Sequence, residues 1–291
     1  MNIQNLHYMI AGCLLAVSSL PAFAASNTIE YLALGDSVAF GYKPPPPGQI
    51  PFQPLPGVYM GYPEFVAQQV PALDSLASLA CPGETSASYL VSPAVSLVPD
   101  AGCLAFKTFP LLGLKTGYLG TQDAETVATL VNGPNIKLVT LNIGGNDLVL
   151  IQQACLPPGP NFAACILGKL PAALTAYGKN LTRILTRIRV DGGYRGKLVL
   201  MTQFSPDYRD PIQTGGIAAL NIVMRSVAAA FNAEVAEGFA AFALASASKG
   251  GNVCAAGLLV PYPPGSTTTC DVHPTEKGQK ILADMVLREL Q

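Results

Sequence analysis

Short apolar stretches at residues 29–34, 75–80, 137–143 and 196–202 recur along the chain, and each is followed by enough sequence to hold a helix. Runs of this length, rich in Leu, Val, Ile and Tyr and stopped by Gly, Asp, Asn or Pro, read as buried strands. Strands that alternate with helices pack as one parallel sheet covered on both faces. No internal repeat and no shift in composition marks a second domain. Helices are expected from Gly61 to about Val70, from Thr121 to Asn132, from about Pro171 to Arg189, from about Gly216 to Asn232, and from Thr275 to Leu290. A short strand is expected near residues 234–236. Residues 89–120 and 155–165 show no clear period and read as irregular. Pro44 to Pro56 reads as a stiff extended loop, open to two roles: a wall or lid over a site, or a solvated spacer.

The first 24 residues have the pattern of an export signal. Residues 10–20 are an apolar core, and Ala22-Phe23-Ala24 supplies small residues before a cut ahead of Ala25. Ile10-Ala11-Gly12-Cys13 also matches a lipoprotein box, but that reading leaves the longer apolar run after the cysteine. The segment is too short and too close to the cut for a stable membrane span. The mature domain is then 25–291, long enough for a full core. Charged residues make up 12% of the chain, against roughly 25% in ordinary soluble domains. With 17 basic and 18 acidic residues and no basic cluster, nucleic acid is disfavoured as a partner. An apolar or uncharged small-molecule substrate suits such a low-charge chain better.

Six cysteines remain after the signal: Cys81, Cys103, Cys155, Cys165, Cys254 and Cys270. An even set in an exported chain is usually paired. Successive couples close modest loops rich in Pro and Gly, so 81–103, 155–165 and 254–270 are the expected disulfides. No CxxC spacing occurs and histidines are too few for zinc, so no metal and no cofactor are expected.

The run at 29–34 ends at Gly35-Asp36-Ser37, which puts Ser37 just past the C-terminal edge of a sheet, where α/β folds collect their chemistry. By itself Ser37 is open to two readings, a helix cap or a nucleophile. His273 is the single histidine after the signal and so the base that a serine hydrolase of this usual type would have to use. Asp271, two residues earlier, is a carboxylate that could orient the ring. Candidate donors to an oxyanion are the backbone N–H groups of Ser37 and Gly83 and the side-chain amide of Asn146. Taken singly, Gly83 and Asn146 are ordinary turn residues.

Together, Gly35-Asp36-Ser37, the Gly83 turn, Gly144-Gly145-Asn146-Asp147 and Asp271-Val272-His273-Pro274 resemble, in order, the sequence blocks of the SGNH, or GDSL-type, esterase/lipase superfamily. The resemblance implies a flavodoxin-like three-layer α/β/α sandwich with a central, mostly parallel sheet of about five strands. It also implies Ser37 as nucleophile, His273 as base, and Ser37, Gly83 and Asn146 as oxyanion donors. Val38 replaces the family's usual leucine. The family's aspartate precedes its histidine by three residues, a position held here by Cys270, so either Asp271 or a backbone carbonyl orients the ring. The chain has no G-x-S-x-G elbow, which disfavours an ordinary α/β-hydrolase. The reading is an exported serine esterase or lipase. Its rivals are a carbohydrate acetylesterase of the same fold and a non-catalytic exported binding domain.

Overall fold

The computed structural model describes residues 29–49, 57–91, 102–108, 113–266 and 268–291. The expected signal segment and part of the proline-rich segment lie outside these residues. In chain order the elements are β1 (Tyr31–Gly35), α1 (Ser37–Phe40), α2 (Tyr62–Gln69), β2 (Leu76–Ser78), α3 (Ser86–Leu90), α4 (Gly102–Thr108), α5 (Gln122–Asn132), β3 (Leu138–Asn142) and α6 (Gly145–Gln153). There follow α7 (Phe162–Thr186), β4 (Lys197–Met201), α8 (Pro211–Ala230), β5 (Glu234–Ala236), α9 (Gly238–Ser246), β6 (Leu259–Pro261), β7 (Cys270–Pro274) and α10 (Glu276–Arg288).

Five strands form one sheet in the order β2-β1-β3-β4-β5, and every pairing in it is parallel. Side chains alternate across a strand, and both faces of this sheet are covered. Tyr31 and Ala33 of β1 point into a core built with α1, α2, α9 and α10, while Leu32 and Leu34 point into a second core with α5, α7 and α8. The chain is therefore a three-layer α/β/α sandwich with the flavodoxin strand order. In that order the connection reverses direction at β1 and β3, which opens a crevice at their C-terminal ends.

Several elements differ from the sequence reading. Helix α7 begins at Phe162 and runs straight through Pro171. A proline removes one helical hydrogen bond, but Pro171 is exposed, and the stripe of Ile166, Leu170, Leu174, Tyr177, Leu181 and Leu185 continues across it at spacings of three and four. Helix α8 begins before the Gly215-Gly216 pair, at Pro211, because Asp210 accepts from the N–H groups of Ile212 and Gln213 and proline fits the first turn. Helix α9 is apolar on all sides and shows no helical period. Residues 270–274, outside the elements expected above, form strand β7, which pairs antiparallel with β6 through Pro274 and Cys270 with a register shift between the two pairs. Helix α4 lies within the stretch read as irregular, and α3 runs into its start. Disulfides join Cys81 to Cys103, Cys155 to Cys165 and Cys254 to Cys270.

Gly35 closes β1 with φ +126°, and a Cβ placed there would overlap the Asn142 carbonyl oxygen on β3. The Asp36 N–H donates to that same carbonyl at 3.0 Å, so the backbone cannot retreat without breaking the turn. Gly35→Ala is therefore expected to lower unfolding stability by about 3 kcal/mol or more, through combined backbone strain and overpacking. Denaturant unfolding followed by circular dichroism measures this; a loss under about 1 kcal/mol would contradict the close approach.

Candidate active site

Asp36 leaves β1 in an extended conformation and caps α1, its Oδ1 accepting from the Val38 N–H at 2.9 Å. The cap is thus Asp36, and Ser37 becomes the first helical residue, nearly buried at the crevice floor. Gln279 of α10 fastens this short helix from behind. Its Nε2 donates to the Val38 carbonyl at 3.1 Å and its Oε1 accepts from the Tyr62 N–H at 2.8 Å.

Past β2 the Cys81 N–H donates to the Gly35 carbonyl at 2.9 Å, which brings the next segment alongside the turn that carries Ser37. Pro82 and Gly83 then make a tight turn closed by the Glu84 N–H on the Cys81 carbonyl at 3.1 Å. Gly83, at φ +81°, takes the left-handed position that a type II turn reserves for glycine. After β3, Gly144 turns at φ +119°, where a Cβ would meet the Tyr177 ring at 2.7 Å, and α6 starts. This start brings Asn146 over the Gly83 turn: its Nδ2 donates to the Glu84 carbonyl at 2.9 Å. An amide nitrogen carries two hydrogens, so that bond orients the group and leaves its second N–H to donate elsewhere. Asp147 pins the same two segments together, accepting from the N–H of Ser86 at 2.9 Å and from its hydroxyl at 2.5 Å.

Asp271 and His273 both lie on β7. They lie between the two β6 pairings, at a register shift, and the Asp271 carboxylate reaches forward to His273 twice. Oδ1 accepts from the His273 N–H at 3.0 Å and from the Nδ1 side of the imidazole. Cys270, at the spacing usual for the family's aspartate, is half of the disulfide to Cys254. Burial works to raise the Asp271 pKa, but the hydrogen bonds and charge of His273 outweigh it and hold the carboxyl below its ordinary range. The Tyr42 ring meets the imidazole edge-on, with centroids 4.9 Å apart.

Ser37, Asn146 and His273 line one cavity. Its walls come from α6, α7, α8, the segment after β4, and Val272, and are mostly aliphatic. The disulfide between Cys155 and Cys165 clamps the corner where α6 passes into α7. Gly83 does not line this cavity; it sits beside Asn146 through the Glu84 carbonyl. One group of donors among the described residues lies close enough to hold an ion, Cys81, Glu84 and Cys103, but its two sulfurs are joined to each other. That group does not make a metal centre.

Two buried residues that the sequence reading left without a role organise the crevice. Gln122, fully buried at the start of α5, accepts from the Gly35 N–H at 2.7 Å. Its Nε2 donates to the Gly35 carbonyl and to Glu84 Oε2, both at 3.0 Å. Glu84 is fully buried and also accepts from the Ser88 hydroxyl at 2.5 Å. In sequence Gln122 was visible only as the second residue of the helix expected from Thr121. Nothing local distinguishes it from a surface glutamine.

The model of the GDSL-like lipase/acylhydrolase family matches residues 33–281. The chain belongs to that family. It is accordingly an ester hydrolase at family level. Among solved structures it is similar to the lipase Lip_vut3 from a goat rumen metagenome, with a TM-score of 0.52 at 15% identity, covering 90% of this chain and 97% of that one. It is also similar to phospholipase A1 from Streptomyces albidoflavus NA297, with a TM-score of 0.52 at 18% identity over 90% and 99% of the two chains. At these identities the likeness is one of fold. No curated protein matches the sequence significantly.

In this GDSL-family site the acids are crowded. Burial, reinforced by the charges of Asp147 and Glu84, pushes Asp36 up to about 7 against the pull of its Val38 hydrogen bond. The folded state therefore holds a proton that the unfolded state has released, and stability falls as pH rises between about 4 and about 7. Asn keeps the cap acceptor without the charge. The melting temperature of Asp36→Asn minus that of the wild type should thus be several degrees higher at about pH 8 than at about pH 4. A pH-independent difference would remove this account of Asp36.

Proposed function

We propose that this chain is an exported serine esterase acting on short acyl esters, with Ser37 as nucleophile and His273 as general base. The observation that carries the reading is that Ser37, Asn146 and His273 line one apolar cavity while Asp271 engages Nδ1 of the imidazole. With Nδ1–H held by the carboxylate, Nε2 is the nitrogen left to accept the Ser37 proton. Oγ attacks the ester carbonyl, and the oxyanion that forms takes donors from the N–H groups of Ser37 and Gly83 and the second N–H of Asn146. Asp271 stays ionised and stabilises the imidazolium. Collapse of the tetrahedral adduct breaks the C–O bond to the alcohol, which leaves with the proton from His273. The acyl-enzyme is then attacked by water, deprotonated by the same imidazole, and the acid departs as Ser37 recovers its proton.

The cavity measures about 130 Å³, close to the ~150 Å³ of a cavity that accepts a benzene ring, which supports a short acyl group. Export is supported by the signal pattern in residues 1–24 and by three disulfides, which persist in oxidising compartments. Among the described residues no helix is long and apolar enough to cross a membrane.

Ser37→Ala is expected to abolish both turnover of p-nitrophenyl butyrate and labelling by a fluorophosphonate; retention of either would overturn the assignment. Asp271→Asn should leave the fold intact and lower kcat by about 10²–10⁴, the range for loss of a histidine-orienting carboxylate. Near-normal turnover would assign that role to a backbone carbonyl instead. Across p-nitrophenyl esters, kcat/KM should peak at short acyl chains and fall for palmitate.

A further inference from the structure

Helix α8 carries a glycine that its backbone does not require. Gly216 lies inside the helix, clear of both ends, and its backbone is ordinary helix. Glycine in a helix interior costs stability relative to alanine, because the unfolded chain has more freedom to lose. Where α7 and α8 pack closely, a glycine has a steric reason: a Cβ at Gly178 would stand 3.1 Å from Val223. At Gly216 the position is open. Among the described residues a Cβ there would meet one atom within 4 Å, Leu170 Cδ1 at 3.9 Å, an ordinary contact. Gly216 is nevertheless buried. Neither conformation nor close approach accounts for it.

The space in front of Gly216 belongs to the cavity that holds Ser37 and His273. Gly216 and Leu170 both line that cavity, as do Ile212 and Ile217 on the same stripe of α8. One turn on, the stripe reaches Leu220, whose Cδ2 would lie 3.2 Å from a Cβ on Gly144, two residues before Asn146. At the rise of an α-helix, Gly216 therefore stands about 6 Å along α8 from the residue that abuts the Gly144 turn. The bare stretch of wall lies beyond Asn146, in the same cavity as the reacting group.

We propose that Gly216 sets the length of acyl chain the site takes, its missing side chain being the room for the terminal carbons; this deepens, and rests on, the esterase reading of the same cavity. An acyl group held at Ser37 and led past Asn146 fills the space before Gly216 and buries its methylenes against Leu170, Ile212 and Ile217. Acetate ends too soon to use that space. A side chain grown from Gly216 excludes the longer acyl group before it obstructs the shorter one. One methylene gained or lost in an apolar pocket changes kcat/KM by about tenfold or more.

The test measures kcat/KM for p-nitrophenyl acetate, butyrate and hexanoate in wild type, Gly216→Ala, Gly216→Val and Gly215→Ala. Gly215 is the exposed neighbour in the same helix; a Cβ there meets nothing within 4 Å, and it does not line the cavity. Wild type should favour butyrate over acetate. The butyrate-to-acetate ratio should fall in Gly216→Ala and by about tenfold or more in Gly216→Val, with hexanoate falling further. Gly215→Ala should leave the ratios unchanged. Both alanine variants should melt about 2–4 °C higher than wild type, so a loss of the longer esters cannot come from a loosened fold. A wild type that prefers acetate, ratios unchanged at Gly216, or an equal change from Gly215→Ala overturns the proposal. If Gly216→Val does not fold, the alanine variant decides. A parallel series of acetate esters varies the alcohol instead; losses confined to the longer alcohols would place the leaving group before Gly216 and equally overturn it. Turnover and fluorophosphonate labelling with an unaltered chain-length profile would sink the role of Gly216 alone. Inertness toward every ester together with no labelling of wild type would sink the esterase reading beneath it.

Discussion

The Asn142 carbonyl at the end of β3 is the point against which the crevice is assembled. It takes the space that a side chain on Gly35 would need and accepts the Asp36 N–H. With β1 and β3 locked in parallel register through Gly35 and Asn142, the turns after both strands leave the sheet side by side. Ser37 and Asn146 therefore converge although they are far apart in the chain. The amide of Gln122 then bonds both polar groups of the Gly35 backbone and reaches across to Glu84. In this way the Ser37 turn, the Gly83 turn and the α6 start are held by backbone groups and buried amides. Long, mobile side chains contribute little, which suits a site whose geometry must be set before substrate arrives.

That rigidity is obtained at some cost in stability. Asp36, Glu84 and Asp147 crowd one region, and burial with mutual repulsion raises Asp36 far above an ordinary carboxyl. Each acid also holds a piece of the site in place. Asp36 caps α1, Glu84 receives Gln122 and Ser88, and Asp147 ties α6 to Ser86. Functional sites commonly hold such local conflicts while the rest of the fold compensates. Here two continuous cores on either side of the sheet are the compensating mass.

The spacing of Asp271 and His273 has a structural origin. β7 pairs with β6 at Cys270 and Pro274 with a register shift between the two pairs, so residues 271–273 bulge out of the ladder, and the side chain of 270 is tied to Cys254. There the Asp271 carboxylate turns onto the His273 N–H two residues on, and the same oxygen meets the Nδ1 side of the ring.

Read alone, the sequence determined the layered α/β architecture, the order of the motif blocks and the residue types available for chemistry. Those depend on local signals: short apolar runs, the glycine and asparagine stops after them, and a single histidine after residue 24. It could not distinguish Gln122 or Glu84 from solvent-facing residues, because their roles arise from partners 38 to 87 positions away. Nor could it show that residues 270–274 are a strand, since the pairing that makes them one comes from β6. Helix α7 continues through Pro171 for a similar reason: burial of its long apolar stripe against the rest of the fold outweighs one lost backbone bond. Which acid cap, which amide and which strand face meet at Ser37 was decided only when distant segments packed.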